Sequence, residues 1–546
     1  MPTTYAIPNG ATQFAATTYT GNGGSSGAAG GAATANSGSG GGGGGNTGTG
    51  AASGNGGSGI VIISYAGAQR MAGGTVTFVG GNTIHTFTSS GYLSALKLVN
   101  NSLRFKSSTT SYLTRTPTVA GNQQIFTFSS WVKRGALSVD HSIWGARQLS
   151  TSNPYFWLAF NASTDILSLN TNNGSLLTTQ VFRDPAAWYH IVVSIDTTQA
   201  TAANRMKLYV NGLQITSFST ATYPTQNTNM GVNSTIAHWI GIITNGIGGF
   251  SSAFDGYQTE INFIDGQALT PSSFGGYNSF GVWQPTQYLG SYGINGYYLP
   301  FTNNTSSTTI GFDFSPNQNN WTANGFTLTP TTSVNYDSMT DVPTLTSETA
   351  SNYCVINPLN TAVAPINANL SIQGNNTWRG ALSTIQFPTS GLFYFEVSGL
   401  SANQRIVGGI APATLSTSAV WQTTIGFIGV AADSGSTNIM NNVSAGNTIL
   451  YSQSGTGTTE IFSFAVNATT GNVWFGRNGT WYNSTGAATG NPATGANPTW
   501  TGLTLSNYFP CVQCFDNAVN VNINFGQRPF TQTVPTGYVA LNTFNM

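Results

Sequence analysis

The sequence has 546 residues, of which 39% are hydrophobic and 12% aromatic, but only 5% carry a charge. Soluble proteins usually contain about 25% charged residues, so this chain takes its polarity from Asn, Thr, Ser and Gly, which favour turns and exposed β faces. The composition argues against a cytosolic enzyme. It also argues against a nucleic-acid-binding protein, because no basic cluster with interleaved aromatic residues is present.

The charges are unevenly distributed, although the formal net charge is zero. Residues 1–139 contain seven Lys and Arg residues and no acidic residue, which leaves eight basic and fifteen acidic residues for the rest of the chain. Two interpretations remain open: scatter among few charges, or one end that docks on a partner surface. The whole composition is typical of β-rich extracellular or virion proteins.

The N-terminal region is dominated by glycine. Residues 1–20 are predicted to be a short attachment segment, and residues 21–97 a glycine-rich stalk or module, since 19 of the 39 residues from 21 to 59 are glycine. Such a tract has few side chains to bury, so we expect extended or polyproline-II-like backbones to be ordered by close packing against copies of the same chain. This predicts an oligomer, and a homotrimer is expected.

The module ends in strand-like segments. Gly59–Tyr65 is a glycine coil that runs into a strand, and Gly73–Thr88 is predicted to form two short strands around a Gly-Gly-Asn turn. These segments resemble the glycine-rich modules of bacteriophage tail and fibre proteins. Those modules open with a strand like Thr83–Gly91 and close with one like Gly59–Tyr65, and here the order is inverted. Two interpretations remain open: a remnant of such a module, or a circularly arranged version of it. The resemblance implies attachment to other virion proteins through the N-terminal segment.

Residues 98–285 are predicted to be a succession of strands. Phe126–Lys133 alternates between two faces, Trp188–Ile195 is a nearly continuous apolar run typical of an interior strand, and Lys207–Ile215 is a hairpin with an Asn-Gly type I′ turn. Five stretches resemble the laminin-G/concanavalin-like jelly roll, particularly its phage version: Phe128–Arg134, Trp188–Val192, Leu208–Gly212, Phe254–Tyr257 and Glu260–Gly266. The resemblance implies a two-sheet sandwich of roughly a dozen strands.

Residues 286–350 are rich in Ser, Thr, Asn and Pro, and their aromatic residues predict an ordered, extended connector that packs on its neighbours. This bridge resembles one that recurs between the jelly roll and the C-terminal domain of phage structural proteins. Residues 351–546 are again predicted to be strands. Asn517–Phe525 alternates Asn with apolar residues, so the inward side chains are expected to be Val519, Val521, Ile523 and Phe525.

The last region resembles the B30.2/SPRY sandwich. The matching motifs stand in the family order: Gly391–Val397, Val407–Ala411, Ile425–Val430, Gly471–Trp481 and Phe525–Phe530. The expected fold class is therefore all-β, with a glycine-rich stalk followed by two β-sandwich domains, a jelly roll and then a SPRY-like sandwich.

No catalytic site is predicted, although jelly-roll relatives include glycosidases. Those enzymes need two carboxylates about 5–5.5 Å or about 6.5–9.5 Å apart, and the best pair here, Glu260 and Asp265, falls on opposite faces of an ideal strand. A CxxC motif, Cys511 to Cys514, lacks a second pair and is predicted to hold buried free thiols. No enzyme activity, metal or cofactor is expected. The histidines are isolated along the chain: His85, His141, His190 and His238.

Glycan binding remains as a function for the two sandwiches. It uses exposed aromatic rings that stack on sugars, with Asn, Asp and Gln side chains on loops. The candidate loop aromatics are Trp239, Trp421, Tyr482 and Trp500, with Asn441, Asn442 and Asn483 as neighbours. Each aromatic residue could instead pack in a core, and three others are assigned to folding: Trp131, Trp188 and Trp474.

Taken together, the resemblances imply a bacteriophage virion protein, a tail fibre or receptor-binding adhesin that attaches to host surface glycans through several weak sites. Two alternatives remain open: a structural virion component such as a head fibre, capsid decoration or tail-assembly protein, and a polysaccharide depolymerase. No membrane insertion is expected, because a signal peptide is lacking and the apolar run Ile60–Ile63 is too short to span a bilayer.

Overall fold

The computed structural model describes residues 24–25, 28–46, 50–91, 93–148, 154–399, 405–433, 436–454 and 460–546, with the backbone of a short strand, Thr12–Gln13. The rest of the predicted attachment segment lies outside these residues. Strands dominate the described chain, and no helix within it is long and apolar enough to cross a membrane. Helical turns in the described residues are single 3-10 turns, at Ser107–Thr109, Ala202–Asn204, Pro271–Ser273, Trp421–Thr423 and Pro492–Thr494.

The chain forms two compact units. The first contains Met1–Lys97 and Pro271–Leu289, and the second contains Leu98–Thr270 and Gly290–Met546. Residues 271–285, which the sequence analysis places in the jelly roll, and residues 286–289, which it places in the connector, thus belong to the first unit.

In the first unit the glycine tract folds on itself as three stretches, residues 28–34, 39–45 and 51–58, which we call the glycine bundle. The first and third stretches run parallel, and the second runs antiparallel to both. Every third residue donates its backbone N–H to a neighbouring stretch, the period of a polyproline-II-like helix. Backbone hydrogen bonds with N–O distances of 2.8–2.9 Å join each stretch to both others. The N–H donors and their carbonyl acceptors are Gly30 and Ala52, Ala33 and Asn55, Gly42 and Gly31, Gly45 and Ala28, Gly54 and Gly42, and Gly57 and Ser39.

Close approach of these backbones explains the glycines. A Cβ atom on Gly30, Gly41 or Gly54 would collide with a carbonyl group of a neighbouring stretch. The described hydrogen bonds of this tract close within one chain, so its order does not require other copies of the chain. The homotrimer stays a prediction, without the argument that first supported it.

The predicted Gly-Gly-Asn hairpin of the first unit is confirmed. Thr75–Val79 pairs antiparallel with Asn82–Phe87, and Gly80 and Gly81 form the turn with positive φ angles of 58° and 80°. The closing type of strand, Val61–Ala66, pairs directly with the opening type, Asn82–Phe87. The strands of this unit lie in three sheets: Thr12–Gln13, Val61–Ala66, Asn82–Phe87 and Thr75–Val79; Met71–Ala72 and Ser94–Ala95; Gly275–Tyr277 and Trp283–Pro285.

The second unit begins with the first sandwich, two packed antiparallel sheets around one large core of aliphatic and aromatic side chains. In spatial order, one sheet contains Phe218–Thr222, Gly174–Val181, Ile166–Thr171, Tyr155–Phe160, His141–Arg147, His238–Ile240, Tyr112–Arg115 and Thr322–Asn324. The other contains Leu213–Gln214, Met206–Val210, Trp188–Asp196, Ile125–Arg134, Gly256–Asp265, Ser102–Phe105 and Ser338–Met339, with Tyr297–Leu299 beside Gly256–Asp265. A small ribbon joins Ile243–Thr244 to Phe250–Ser251.

Several predictions for this region are confirmed. Trp188–Asp196 is an interior strand, and Asn211 and Gly212 form the hairpin turn with φ angles of 48° and 83°. Ile125–Arg134 alternates between two faces as predicted, but both faces are buried after its first residue. The connector adds strands to both sheets of the first sandwich.

The second sandwich follows. One sheet contains Ile356–Thr361, Arg379–Ser383, Tyr508–Cys514, Ile406–Pro412, Ile428–Asp433, Ser436–Asn441 and Ile449–Ser454. The other contains Ser371–Gln373, Asn520–Asn524, Leu392–Ser398, Ile461–Asn467, Asn472–Arg477 and Thr480–Tyr482, with Val539–Ala540 parallel to Leu392–Ser398. The four predicted inward side chains of residues 519–525 are buried. The all-β class with two sandwiches is thus confirmed.

Buried ion pairs join the first sandwich to the connector. Arg104 and Lys106 both pair with Asp337, at 3.0 and 2.9 Å, and Lys133 pairs with Asp341 at 2.7 Å. We call these five residues the charged seam; all are at most 1% exposed. Lys133 also donates to the backbone carbonyl of Tyr353, at the start of the second sandwich.

The charged seam bears on the uneven charge distribution. Arg104, Lys106 and Lys133 are three of the seven basic residues before Asp140, and a fourth, Arg134, is buried against Asp165 at 3.1 Å. These four cations are neutralised inside the second unit, so they contribute nothing to an exposed basic docking surface.

Candidate binding site

Two of the four candidate aromatics lie in hydrophobic cores. Trp239 is on the strand His238–Ile240, where its Nε1 donates to the carbonyl of Arg147 at 2.9 Å and its ring packs against Tyr112 and Phe250. Trp421 is fully buried and donates to the carbonyl of Ser416 at 2.8 Å. The prediction that these rings are exposed on loops is wrong, because their polar N–H groups are satisfied by backbone carbonyls and their faces are covered.

The other two candidates lie near each other in the second sandwich. Trp500 is also buried, with its Nε1 donating to the carbonyl of Met440 at 3.0 Å. Tyr482 is half-buried; its ring stacks on Phe475, and its carbonyl accepts a hydrogen bond from Thr499 at 2.6 Å. The indole of Trp500 is therefore packed inside this region and does not present an open ring face to a sugar. The three tryptophans assigned to folding are buried, as predicted: Trp131, Trp188 and Trp474.

Trp500 forms part of an open cleft with a volume of about 480 Å³. The end of the strand Ser436–Asn441, the start of Ile449–Ser454 and the segment 499–504 bring its walls together. No lining residue is charged, and hydroxyl groups alternate with aliphatic side chains. The lining residues are Asn441, Val443, Leu450, Ser484, Thr499, Trp500, Thr501, Gly502, Leu503, Thr504 and Tyr508.

Asn441 is the most informative residue of the cleft. Its side-chain oxygen, Oδ1, is buried and accepts no hydrogen bond. An unpaired buried acceptor costs roughly 1–3 kcal/mol, so a ligand that donates an O–H or N–H group there would relieve this cost. The adjacent Asn442 is fully committed: its Nδ2 donates to the carbonyls of Trp421 and Gln422, and its Oδ1 accepts from the backbone of Thr448 at 2.8 Å.

The sequence analysis found part of this site. It singled out Trp500 and Asn441, and the structure brings both to the same cleft. It missed Leu450 and Tyr508, which lie on other strands and carry no local signal for binding. Burial raises the pKa of the Tyr508 hydroxyl, so this group remains a neutral donor at physiological pH. The cleft can therefore offer neutral hydrogen-bonding groups and apolar contacts to a neutral ligand.

The two carboxylates considered above as a catalytic pair, Glu260 and Asp265, are held in separate hydrogen-bond networks. Glu260 lies at a β-bulge with a φ of 52° and accepts from the hydroxyl of Tyr298 at 2.7 Å. Asp265 accepts from the backbone of Asn122 and Asn295 and from Nδ2 of Asn233. Glu260 thus bonds to the neighbouring strand Tyr297–Leu299, and Asp265 bonds to loops of the sandwich.

The histidines and cysteines lie in interior positions. Burial lowers the pKa of His141 and His190 to about 3 and that of His238 to about 4, so these side chains are neutral. Cys511 and Cys514 are buried free thiols, as predicted, and burial raises the pKa of Cys514 to about 12. The described part of the chain contains no group of three His, Cys, Asp or Glu residues placed to hold a metal ion.

Comparison with known proteins supports the jelly-roll fold of the first sandwich. Residues 107–274 match the family model of the concanavalin A-like lectin/glucanases superfamily, which makes this region a concanavalin-like jelly roll. No curated protein matches the chain significantly.

Two solved structures are similar to parts of the chain. A native heptameric SAP-like pentraxin from Limulus polyphemus is 17% identical, covering 33% of this chain and 81% of its own, with a TM-score of 0.24. The SPRY domain of human HERC1 is 14% identical, covering 28% of this chain and 87% of its own, with a TM-score of 0.21. The description of the second sandwich rests on its own strand pairing.

Proposed function

We propose that this chain is a bacteriophage virion protein, a tail fibre or receptor-binding adhesin, that attaches to neutral glycans on the host surface through the cleft of the second sandwich. The observation that supports this most is the unpaired, buried Oδ1 of Asn441, a residue that lines an uncharged cleft. Sugars are rich in hydroxyl donors, and a cleft without charges avoids the desolvation cost that a charged wall would add.

Weak binding at one cleft is compatible with firm attachment. A single shallow site gives modest affinity, and several copies of the protein on one virion raise the effective affinity by orders of magnitude. The glycine bundle and the attachment segment would connect the two sandwiches to other virion proteins.

A second candidate function is a structural virion component without receptor binding, such as a head fibre, a capsid decoration or a tail-assembly protein. The burial of three of the four candidate aromatics favours it, since sugar-binding sites commonly use open aromatic faces. Under this alternative the cleft has no ligand, and the protein would be found on the capsid or in the tail without blocking adsorption.

The test uses fluorescent full-length protein with cells of candidate hosts. Saturable binding that blocks phage adsorption, and that neutral host polysaccharide competes away, supports the proposal.

Thr504→Tyr places a large ring at the exposed rim of the cleft and should abolish binding. Thr220→Tyr, on an exposed edge strand of the first sandwich, is the matched control and should bind normally. Absence of binding by folded wild-type protein would favour the structural alternative, and release of sugars from the polysaccharide would indicate a depolymerase.

A further inference from the structure

The strand Thr75–Val79 lies at an edge of the four-stranded sheet in the first unit. Val79 is opposite Asn82 across the two-residue turn, so Thr75, Thr77 and Val79 direct their backbone groups toward the neighbouring strand. The alternate residues, Val76 and Phe78, direct their N–H and C=O groups outward. Within the described residues, these outward groups have no backbone partner.

This edge lacks the features that usually keep a strand from pairing with another chain. Natural edge strands are protected by charged residues, by proline or by a covering loop, whereas Thr75–Val79 reads Thr-Val-Thr-Phe-Val. Phe78 and Val79 are 59% and 61% exposed. Such a segment combines high β-propensity with zero charge, which favours strand addition.

The surface beside the edge is also apolar and uncharged. A cavity of about 560 Å³ lies next to Thr77 and Phe78 in the first unit, and Phe280, on its wall, is 88% exposed. The other residues that line the cavity carry no charge: Ala68, Gln69, Thr83, Leu96, Asn278, Ser279 and Gln284. This edge therefore suits an extended, uncharged strand with apolar side chains.

We propose that this occupant is the same strand of a second copy of the chain, paired antiparallel about a two-fold axis. With Thr77 opposite Thr77, all five residues are paired, and Val76 of each copy faces Phe78 of the other. The outward backbone groups of both residues are then satisfied, and the sheet continues from four strands to eight. Because neither edge carries a charge, two identical edges meet without electrostatic repulsion. This contact joins copies in pairs, in place of the homotrimer expected from the sequence, and does not depend on any ligand of the cleft.

A cysteine cross-link tests the register. Thr77 pairs with itself at a position without inter-strand hydrogen bonds, where Cα atoms lie about 4.5 Å apart, within the range of about 4.4–6.8 Å that a disulfide requires. Full-length Thr77→Cys should therefore form a disulfide-linked dimer in air. The three native cysteines are buried and provide no exposed thiol. The control is Val79→Cys on the same exposed strand, whose counterpart would be about 13 Å away and should cross-link at least tenfold more slowly.

The oligomeric state of the full-length protein tests the contact without a new cysteine. Sedimentation should show a concentration-dependent monomer–dimer equilibrium that Phe78→Lys shifts at least tenfold toward monomer. Leu213→Lys replaces an equally exposed apolar residue in the first sandwich and should leave the equilibrium unchanged. A monomeric wild-type protein, equal cross-linking of both cysteine variants, or an oligomer that Phe78→Lys does not weaken would overturn the proposal.

Discussion

Asn441 and Asn442 are neighbours in the chain but have opposite environments, and this makes them a matched pair of test sites. Asn441→Ala removes a buried acceptor that has no partner in the protein, so the free energy of unfolding should rise, by at most the roughly 1–3 kcal/mol that such a group costs. If the cleft binds glycan, affinity should fall about three- to tenfold, the net value of one hydrogen bond. Thermal unfolding and glycan titration measure the two effects.

Asn442→Ala is the control variant, because it removes one buried and two part-buried hydrogen bonds to backbone groups. It should lower the free energy of unfolding by about 1–3 kcal/mol. Equal destabilisation by both variants would show that Asn441 has a structural role instead.

A second prediction at this scale concerns His190, which stacks on Trp131 and shares a 2.8 Å hydrogen bond with Ser129. Burial lowers its pKa from 6.5 to about 3, so between these values the unfolded chain binds a proton that the folded chain does not. Stability is therefore lost as the pH falls below 6.5. Each such histidine should cost about 2 kcal/mol at pH 5.

The measurement is urea unfolding of wild type and His190→Gln at pH 7 and pH 5. The variant loses stacking at both pH values, so the test is the difference between them, which should be smaller in the variant by about 2 kcal/mol. An unchanged difference would mean that His190 does not contribute to the acid sensitivity.

At the scale of elements, the glycine bundle offers two adjacent residues with different surroundings. A Cβ on Gly41 would collide with the carbonyl of Gly54, whereas a Cβ on Gly40 would meet open space. Gly41→Ala should therefore disrupt the bundle, and Gly40→Ala should be tolerated. Neither glycine has a positive φ, so the difference reports packing rather than backbone strain.

Amide hydrogen exchange provides the measurement for this pair. In the wild type, protection should recur at every third residue, including Gly42, Gly45, Gly54 and Gly57, since these N–H groups donate across the bundle. Gly41→Ala should abolish the protection at Gly54, and Gly40→Ala should preserve it. Uniform exchange throughout the wild-type tract would contradict the bundle.

The sequence predicted individual strands well where a local pattern specifies them. The Asn-Gly hairpin and the alternation of residues 519–525 depend on neighbours within a few positions, and both are confirmed. The glycine tract shows the limit of this reasoning. Its composition indicated close backbone packing, but composition alone could not distinguish packing between chains from three stretches folded within one chain. Likewise, Trp239 and Trp421 lie in segments that resemble loops, and distant residues bury them.

At the scale of the whole molecule, the charged seam should make the first sandwich and the connector depend on each other. Lys133→Met leaves Asp341 buried without its cation, and breaking such a pair costs about 3–5 kcal/mol. Arg183→Met is the control, because Arg183 is 51% exposed and Asp165 keeps its partner Arg134. It should cost less than about 1 kcal/mol.

Urea unfolding of the full-length variants measures both costs. A loss for Lys133→Met no larger than that for Arg183→Met would contradict a structural role of the seam. The sequence could not reveal this interaction, because Lys133 and Asp341 are separated by 208 positions. The order of the two sandwiches was accessible from motifs, whereas the contacts that unite them depend on residues without any motif.

The composition of the glycine bundle also has a consequence for cleavage by proteases. Its three stretches contain no basic, acidic or aromatic residue, and the first basic residue of the entire chain is Arg70. Digestive proteases that cleave after Lys, Arg, Phe, Tyr, Asp or Glu therefore find no recognised peptide bond within the bundle, whether it is folded or open. The segment with the fewest hydrophobic side chains thus contains no cleavage site for these proteases.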